Sequence, residues 1–385
     1  MRILHTSDWH LGRSFHRVGM LEHQARFVDH LVDAVRSEAV DAVVVAGDVY
    51  DRALPSVDTV ALLSDALARL RGAGAQVLLT SGNHDSARRL GFAAEVLELG
   101  GVHLRTTVDD LHRPVELADE HGPVAVYGLP YLEPAMCADA LGASSRTHEA
   151  VLTAAMNRVR ADLAARPAVT RSVVAAHAFV VGGRPSESER DISVGGVGSV
   201  PAAVLDGVDY VALGHLHGRQ RLSESVRYSG SPLAYSFSEA AHVKASWLVD
   251  LGKDGVTGVT ALDAPVPRRL AVLRGEIEAL LGDTALLHAE DSWCQVVLTD
   301  AVRPRGAMER LQRRFPHTLS LAFDPVGAAG AAQDYASRVR GRSDMDVCCG
   351  FVEHVRGVGP DDAEVALLGQ ALEQSRLAAQ DGDAA

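Results

Sequence analysis

Five short polar segments, each directly behind a run of apolar β-formers, constrain this chain more than any other feature. They are Asp8-Trp9-His10 after ILHTS, Gly47-Asp48-Val49-Tyr50-Asp51 after AVVVA, and Gly82-Asn83-His84-Asp85 after VLLTS. His177 follows VVAA, and Gly214-His215-Leu216-His217 follows YVAL. In an open α/β sheet the carboxyl ends of the strands face one crevice, so side chains placed just after five strands converge there. Helical patterns lie between the strand runs, at Glu22–Ser37, Val57–Arg71, Ala87–Leu99 and Thr147–Ala164. Interleaved buried strands and helices predict a layered α/β domain with a covered central sheet. Antiparallel strands are added near its end, at Val226–Ser229, Ala245–Asp250 and Val256–Leu262.

The residue types at those five positions suit two divalent ions rather than one. Carboxylate and amide oxygens with several imidazoles fit Mn, Fe or Zn, and no cysteine stands nearby to make a structural zinc site. Asp-x-His and His-x-His put both side chains on one side of an extended backbone. The glycines before Asp48, Asn83 and His215 permit close backbone approach. Composition sets the outer bounds. The 385 residues include 17 His but only four Cys, at 137, 294, 348 and 349. Those cysteines lack metal or disulfide spacing and fit a reducing cytosol. The N-terminus turns polar within a few residues and no apolar run nears the roughly 20 residues a spanning helix needs, so neither a signal peptide nor a membrane anchor is expected. Only two of the 37 basic residues are Lys, which reads as a genomic bias.

The net charge of −13 argues at first against nucleic acid, but it is uneven. Gly341 to Ala385 holds nine acidic residues against three Arg, a net of −6, whereas Ala301 to Arg342 holds eight Arg against three acidic residues. Ala264-Pro265-Val266-Pro267-Arg268-Arg269 is the linker signal. A β-α-β-α-β pattern follows it to Phe323, then a Gly327–Ala332 spacer, then helices at Asp344–Val355 and Asp361–Leu377. The expected division is therefore 1–265, 266–326 and 327–385. In the Met308–Phe315 helix Arg310, Arg313 and Arg314 lie off the apolar face. With Arg303 and Arg305 they read either as DNA-phosphate contacts or as a solvated face. Val365, Leu368 and Leu372 form a stripe read as a partner groove, with packing inside the chain as the alternative.

Taken in order, the five segments match the pattern of the calcineurin-like metallophosphoesterases: DxH, GDxxD, GNH(D/E), a lone His, and GHxH. The resemblance implies a layered β-sandwich flanked by helices, plus a small α+β capping domain and C-terminal helices. It implies that Asp8, His10 and His217 bind one metal and that Asn83, His177 and His215 bind the second. Asp48 bridges the two, and His84 serves as general acid on the scissile phosphate. Asp51 and Asp85 then orient imidazoles from behind the ligands. Within the superfamily, further blocks resemble the SbcD nuclease subunits. These are Leu11-Gly12-Arg13, Ser186-Glu187-Ser188-Glu189-Arg190, Ser193-Val194-Gly195-Gly196, Tyr228-Ser229-Gly230-Ser231-Pro232-Leu233 and Tyr235-Ser236-Phe237-Ser238-Glu239. That resemblance implies a Mn-dependent double-strand exonuclease and single-strand endonuclease for DNA end processing, hairpin cleavage, repair and recombination. It also implies a homodimer joined to two chains of the coiled-coil ATPase SbcC, in the cytoplasm at the nucleoid. Residues 267–325 then cap the DNA, and the tail docks the ATPase. Archaeal and eukaryotic relatives often carry His at Asp51, and a carboxylate there supplies no imidazolium. A small-phosphodiester or cyclic-nucleotide hydrolase, or a DNA-tethering subunit, remain the alternatives.

Overall fold

A computed structural model describes residues 1–192, 198–325 and 342–382, with residues 376–382 described by backbone alone. The Ser193–Gly196 block and the Gly327–Ala332 spacer lie outside the described residues. The chain divides into two compact units, Met1–Arg269 and Leu270–Ala385.

The first unit runs β1 (Arg2–Thr6), α1 (Leu21–Ser37), β2 (Ala42–Ala46), α2 (Val57–Gly72), β3 (Gln76–Thr80), α3 (Ala87–Leu90), α4 (Ala94–Leu99) and β4 (Val102–Arg105). It continues with β5 (Val115–Asp119), β6 (Gly122–Leu129), α5 (Pro134–Leu141), α6 (His148–Ala164), β7 (Arg171–His177) and β8 (Tyr210–Gly214). The short strands β9 (Gln220–Arg221) and β10 (Val226–Tyr228) and the long hairpin β11 (Ala245–Gly252) and β12 (Gly255–Asp263) complete it.

The alternating pattern alone predicts one covered central sheet; the unit has two, as the layered β-sandwich implied by the resemblance requires. One has the order β12-β11-β1-β2-β3-β4 and the other β9-β10-β8-β7-β6-β5. Strand periodicity explains why both need apolar residues on both faces. In β2, Val43 and Val45 pack with α1 and α2 residues such as Leu31 and Leu63, while Ala42, Val44 and Ala46 join Val126, Val173, Ala175 and Ala212 of the second sheet. In β7, Val174 and Ala176 instead pack with α6 residues such as Val151 and Met156. Two sheets thus share an inner core, and helices cover the outsides. The predicted helix over Ala87–Leu99 is broken, because Ala93 adopts φ 58° between α3 and α4.

The second unit holds a parallel three-stranded sheet, β13 (Leu270–Gly275), β14 (Trp293–Leu298) and β15 (Thr318–Phe323), with α7 (Ile277–Gly282) and α8 (Ala307–Arg314). Leu273, Ile277, Leu280, Val296, Leu311 and Phe315 form its core. The helices α9 (Asp344–Arg356) and α10 (Asp362–Gly382) pack on each other. Among the described residues no helix is long and apolar enough to cross a membrane.

Candidate metal centre

All five polar segments meet at the carboxyl ends of β1, β2 and β3 from one sheet and β7 and β8 from the other. The convergence is held by backbone bonds between loops: Asp8 N–H donates to Gly47 O and His10 N–H to Asp48 O, both at 3.0 Å. It also requires unusual backbone. Eight non-glycine residues have positive φ among the described residues, and four of them are Asp8 (52°), His10 (44°), Asp48 (49°) and His215 (105°). Such conformations cost about 1–3 kcal/mol each and persist where the surroundings impose them. The neighbouring glycines answer a demand for space. A Cβ on Gly82 would stand 2.1 Å from Asp48 Oδ1, and one on Gly214 would stand 1.9 Å from Ala46 O.

Side-chain atoms of the ligand type point inward together. His10 Nε2 and His217 Nε2 lie 3.0 Å apart. Asn83 Oδ1 lies 2.9 Å from His177 Nε2 and 3.3 Å from His215 Nδ1. Asp48 Oδ2 stands between the groups, 3.6 Å from both His10 Nε2 and His177 Nε2. Its other oxygen accepts the His84 N–H at 2.9 Å. Asp8 accepts the His215 N–H and the Ser7 hydroxyl. Asp8, His10 and His217 form one set of atoms close enough to share an ion, and Asp8, Asp48 and His177 form another. His84 joins His10 and Asp48 in a third.

The electrostatics match a cation site. Burial, and then the proximity of Asp48, hold the Asp8 carboxyl well above its ordinary range. Burial holds the imidazoles of His10, His177 and His215 below theirs, so they stay neutral, the form that ligates. Among the described residues the buried Nδ2 of Asn83 and Nδ1 of His10 have no hydrogen-bond partner. Oxygen donors and neutral imidazoles without thiolates suit a divalent ion of the Mn, Fe or Zn kind. The residues present therefore fit a metal centre.

Two expected supporting roles change. Asp85 orients no imidazole; its carboxylate accepts N–H bonds from Val49 (3.0 Å), Tyr50 (2.8 Å) and Gly82 (2.9 Å), clamping the Asp48 loop to the Asn83 loop. Asp51 acts on His84 through its backbone carbonyl, which accepts from Nδ1 at 2.8 Å. Its carboxylate oxygen stands beside both imidazoles, 3.8 Å from His10 Nδ1 and 4.0 Å from His84 Nδ1, beyond hydrogen-bond reach of either. Trp9 is core, packed edge-on against Phe27. Unforeseen are Ser188, Glu189, Glu239 and Lys244, which surround His217.

Away from the centre, Arg314 is spent inside its unit. It donates to Leu280 O, Leu281 O and Asp283 O at the end of α7 and pairs with Glu290. Arg310 pairs with Glu278 and Arg313 with Glu309, while Arg303 and Arg305 are exposed. Val365, Leu368 and Leu372 do not form an open stripe. With Gly369, where a Cβ would stand 3.3 Å from Met345 Cε of α9, they make the half-covered side of α10. The open apolar residues of this hairpin are Phe351, Val355, Val358 and Leu367.

A family model described as calcineurin-like phosphoesterase matches residues 1–219, more than half of the chain. The chain belongs to the calcineurin-like phosphoesterase family. A second family model, an SbcD C-terminal model described as type 5 capsule protein repressor C-terminal domain, matches residues 266–356. Solved structures similar to the chain include TT1561 of Thermus thermophilus, at 16% identity over 68% of this chain and 98% of that one, with a TM-score of 0.38. A dimetal phosphatase from Danio rerio is 14% identical over 69% of this chain and 99% of that one, also with a TM-score of 0.38.

Proposed function

We propose that this phosphoester hydrolase is a Mn-dependent DNA nuclease subunit of the SbcD type, acting with a coiled-coil SbcC ATPase. The observation that carries the reading is one chain joining a phosphoesterase centre within residues 1–219 to an SbcD-type C-terminal segment at 266–356. Asp8, His10 and His217 would hold one ion, Asn83, His177 and His215 the other, with Asp48 shared. Bound there, two divalent ions supply a water acidified toward neutral pH and positive charge opposite the phosphate oxygens.

The chain's own residues do the rest. His84 gives its Nδ1–H to Asp51 O, which leaves Nε2 as the nitrogen turned to the centre, 3.9 Å from Asp48 Oδ2. At 9% exposure His84 is the least covered of the five histidines here, as suits the one that meets substrate. Protonated at Nε2, it can hand that proton to the leaving oxygen and return to neutral with Nδ1–H still bound to Asp51. The test is cleavage of linear duplex and single-stranded DNA with Mn, with and without the ATPase. Hydrolysis of bis-p-nitrophenyl phosphate with no attack on DNA would mark a small-diester hydrolase instead.

Two further parts of the reading have their own supports. Leu54 and Val57 at the start of α2, and Phe92, Val96 and Leu99 across α3–α4, are mostly exposed, and Val60 and Phe92 line one hollow. Large exposed apolar groups mark association surfaces, and we assign this one to the homodimer. Phe92→Glu with Leu99→Glu should turn a dimer into a monomer by light scattering while leaving metal content unchanged. A dimer that survives both changes would place the interface elsewhere.

The α9–α10 hairpin is assigned to the ATPase. It has no buried side chain among those described, and Phe351, Val355 and Leu367 are open. An acidic segment is a poor phosphate binder. Deleting residues 343–385 should leave Mn-dependent single-strand cleavage nearly unchanged and abolish co-purification with the ATPase. Retained co-purification, or a misfolded truncation, would reassign the hairpin. Arg303, Arg305, Arg310 and Arg313 remain the proposed phosphate contacts, without Arg314.

A further inference from the structure

His217 is gripped from behind by three buried residues far from it in sequence. Its Nδ1 lies 2.5 Å from Ser188 Oγ, and Ser188 Oγ donates to Glu239 Oε1 at 2.5 Å. Glu239 Oε2 in turn accepts from Lys244 Nζ. Lys244 also donates to the backbone oxygen of His217 at 2.8 Å and to Ser231 Oγ at 3.0 Å. Lys244 therefore holds His217 twice, once by its backbone and once through Glu239 and Ser188.

The proton positions follow from donor and acceptor counting. A carboxylate paired with an ammonium can only accept, so Glu239 takes the single hydroxyl proton of Ser188. Ser188 then has only lone pairs to offer, and His217 must present Nδ1–H. Its lone pair lies at Nε2, the atom 3.0 Å from His10 Nε2. A hydrogen bond behind a ligating imidazole fixes both its tautomer and its ring orientation.

The residue at the root of this chain is itself informative. Only two of the 37 basic residues are Lys, at 244 and 253, and the other 35 are Arg. A compact ammonium has three donors, and Glu239, His217 O and Ser231 Oγ are three acceptors. A planar guanidinium carries five donors in a fixed fork and would leave some buried without partners.

We propose that Ser188, Glu239 and Lys244 are positioning residues that set His217 as an Nε2 ligand, so that one of the two metal sites depends on them. The inference rests on the two-metal reading above, and its test separates the two. Metal-free protein labelled with ¹⁵N-histidine should show His217 with a protonated Nδ1, and Ser188→Ala should lose that signature. By calorimetry with Mn, the wild type should take two ions. Ser188→Ala and Glu239→Gln should bind one of them about 10–100-fold more weakly and keep the other. Ser188→Thr, which retains the hydroxyl, should restore both. A folded Ser188→Ala with an unchanged His217 tautomer and both ions at wild-type affinity overturns the relay. A wild type that binds fewer than two ions while His217 keeps Nδ1–H overturns the two-metal reading and leaves the tautomer assignment standing.

Discussion

His84→Gln should retain both ions and bind DNA, and lose about 10²–10⁴-fold of its cleavage rate, the usual worth of a general acid. Glutamine keeps the length and a donor but has no proton to give at neutral pH. The backbone N–H of residue 84 still donates to Asp48 Oδ1, so the Asp48 carboxylate keeps its anchor. The variant thus removes the reactive nitrogen without dismantling the loop. His84 also lies close enough to His10 and Asp48 to share an ion with them. Metal analysis of the variant decides between the roles, since loss of an ion on substitution would make His84 a ligand.

How far the sequence could be read depended on whether the deciding physics was local. Asp8, His10, Asp48, Asn83, His84, His177, His215 and His217 were all legible, because each follows an apolar strand whose end directs it to a common crevice. The split into two sheets is legible through the family resemblance, which implies a β-sandwich, but not in the strand pattern itself. Val43 and Val44 are equally apolar, and only their different tertiary partners show that one faces helices and the other a second sheet. The break at Ala93 is hidden because Ala favours helix, and the exposed Ala93 with φ 58° follows the Gly91 that caps α3. β4 and β5 give weak strand signals because both are short and carry charge, as in Arg105 and Glu116. Val365, Leu368 and Leu372 were correctly seen as one helix face, but the neighbour that half-covers them lies across a turn. The network behind His217 joins positions 188, 217, 239 and 244, and no periodicity links those. One signal was present all the same: Lys244 is one of only two lysines in an Arg-rich chain.

Asp48→Ala should cost both ions and, with them, all measurable hydrolysis. Asp48 Oδ2 stands 3.6 Å from a nitrogen of each proposed half-site, His10 on one side and His177 on the other. Removing it takes a carboxylate from each proposed half-site, leaving Asp8 as the first ion's remaining negative ligand and only the Asn83 amide with neutral imidazoles for the second, a weaker donor set for a hard divalent ion. The same substitution should have a second, opposite effect on the metal-free protein. Burial, then Asp48, raises the Asp85 carboxyl to about 7, and the Asp8 carboxyl is raised for the same reasons. An acid whose folded pKa is raised contributes stability that is full below its unfolded pKa, about 3.9, and is lost as pH climbs through the folded value. Without Asp48 the repulsive part of that loss disappears. Melting of chelator-treated protein at pH 5 and pH 7.5 should therefore show a smaller drop for Asp48→Ala than for the wild type. Adding Mn at pH 7.5 should raise the melting point of the wild type, because an ion that binds only the folded state stabilises it, and should leave Asp48→Ala where it was. An Asp48→Ala protein that still holds two ions tightly, or that gains as much from Mn as the wild type, would remove Asp48 from between the metals.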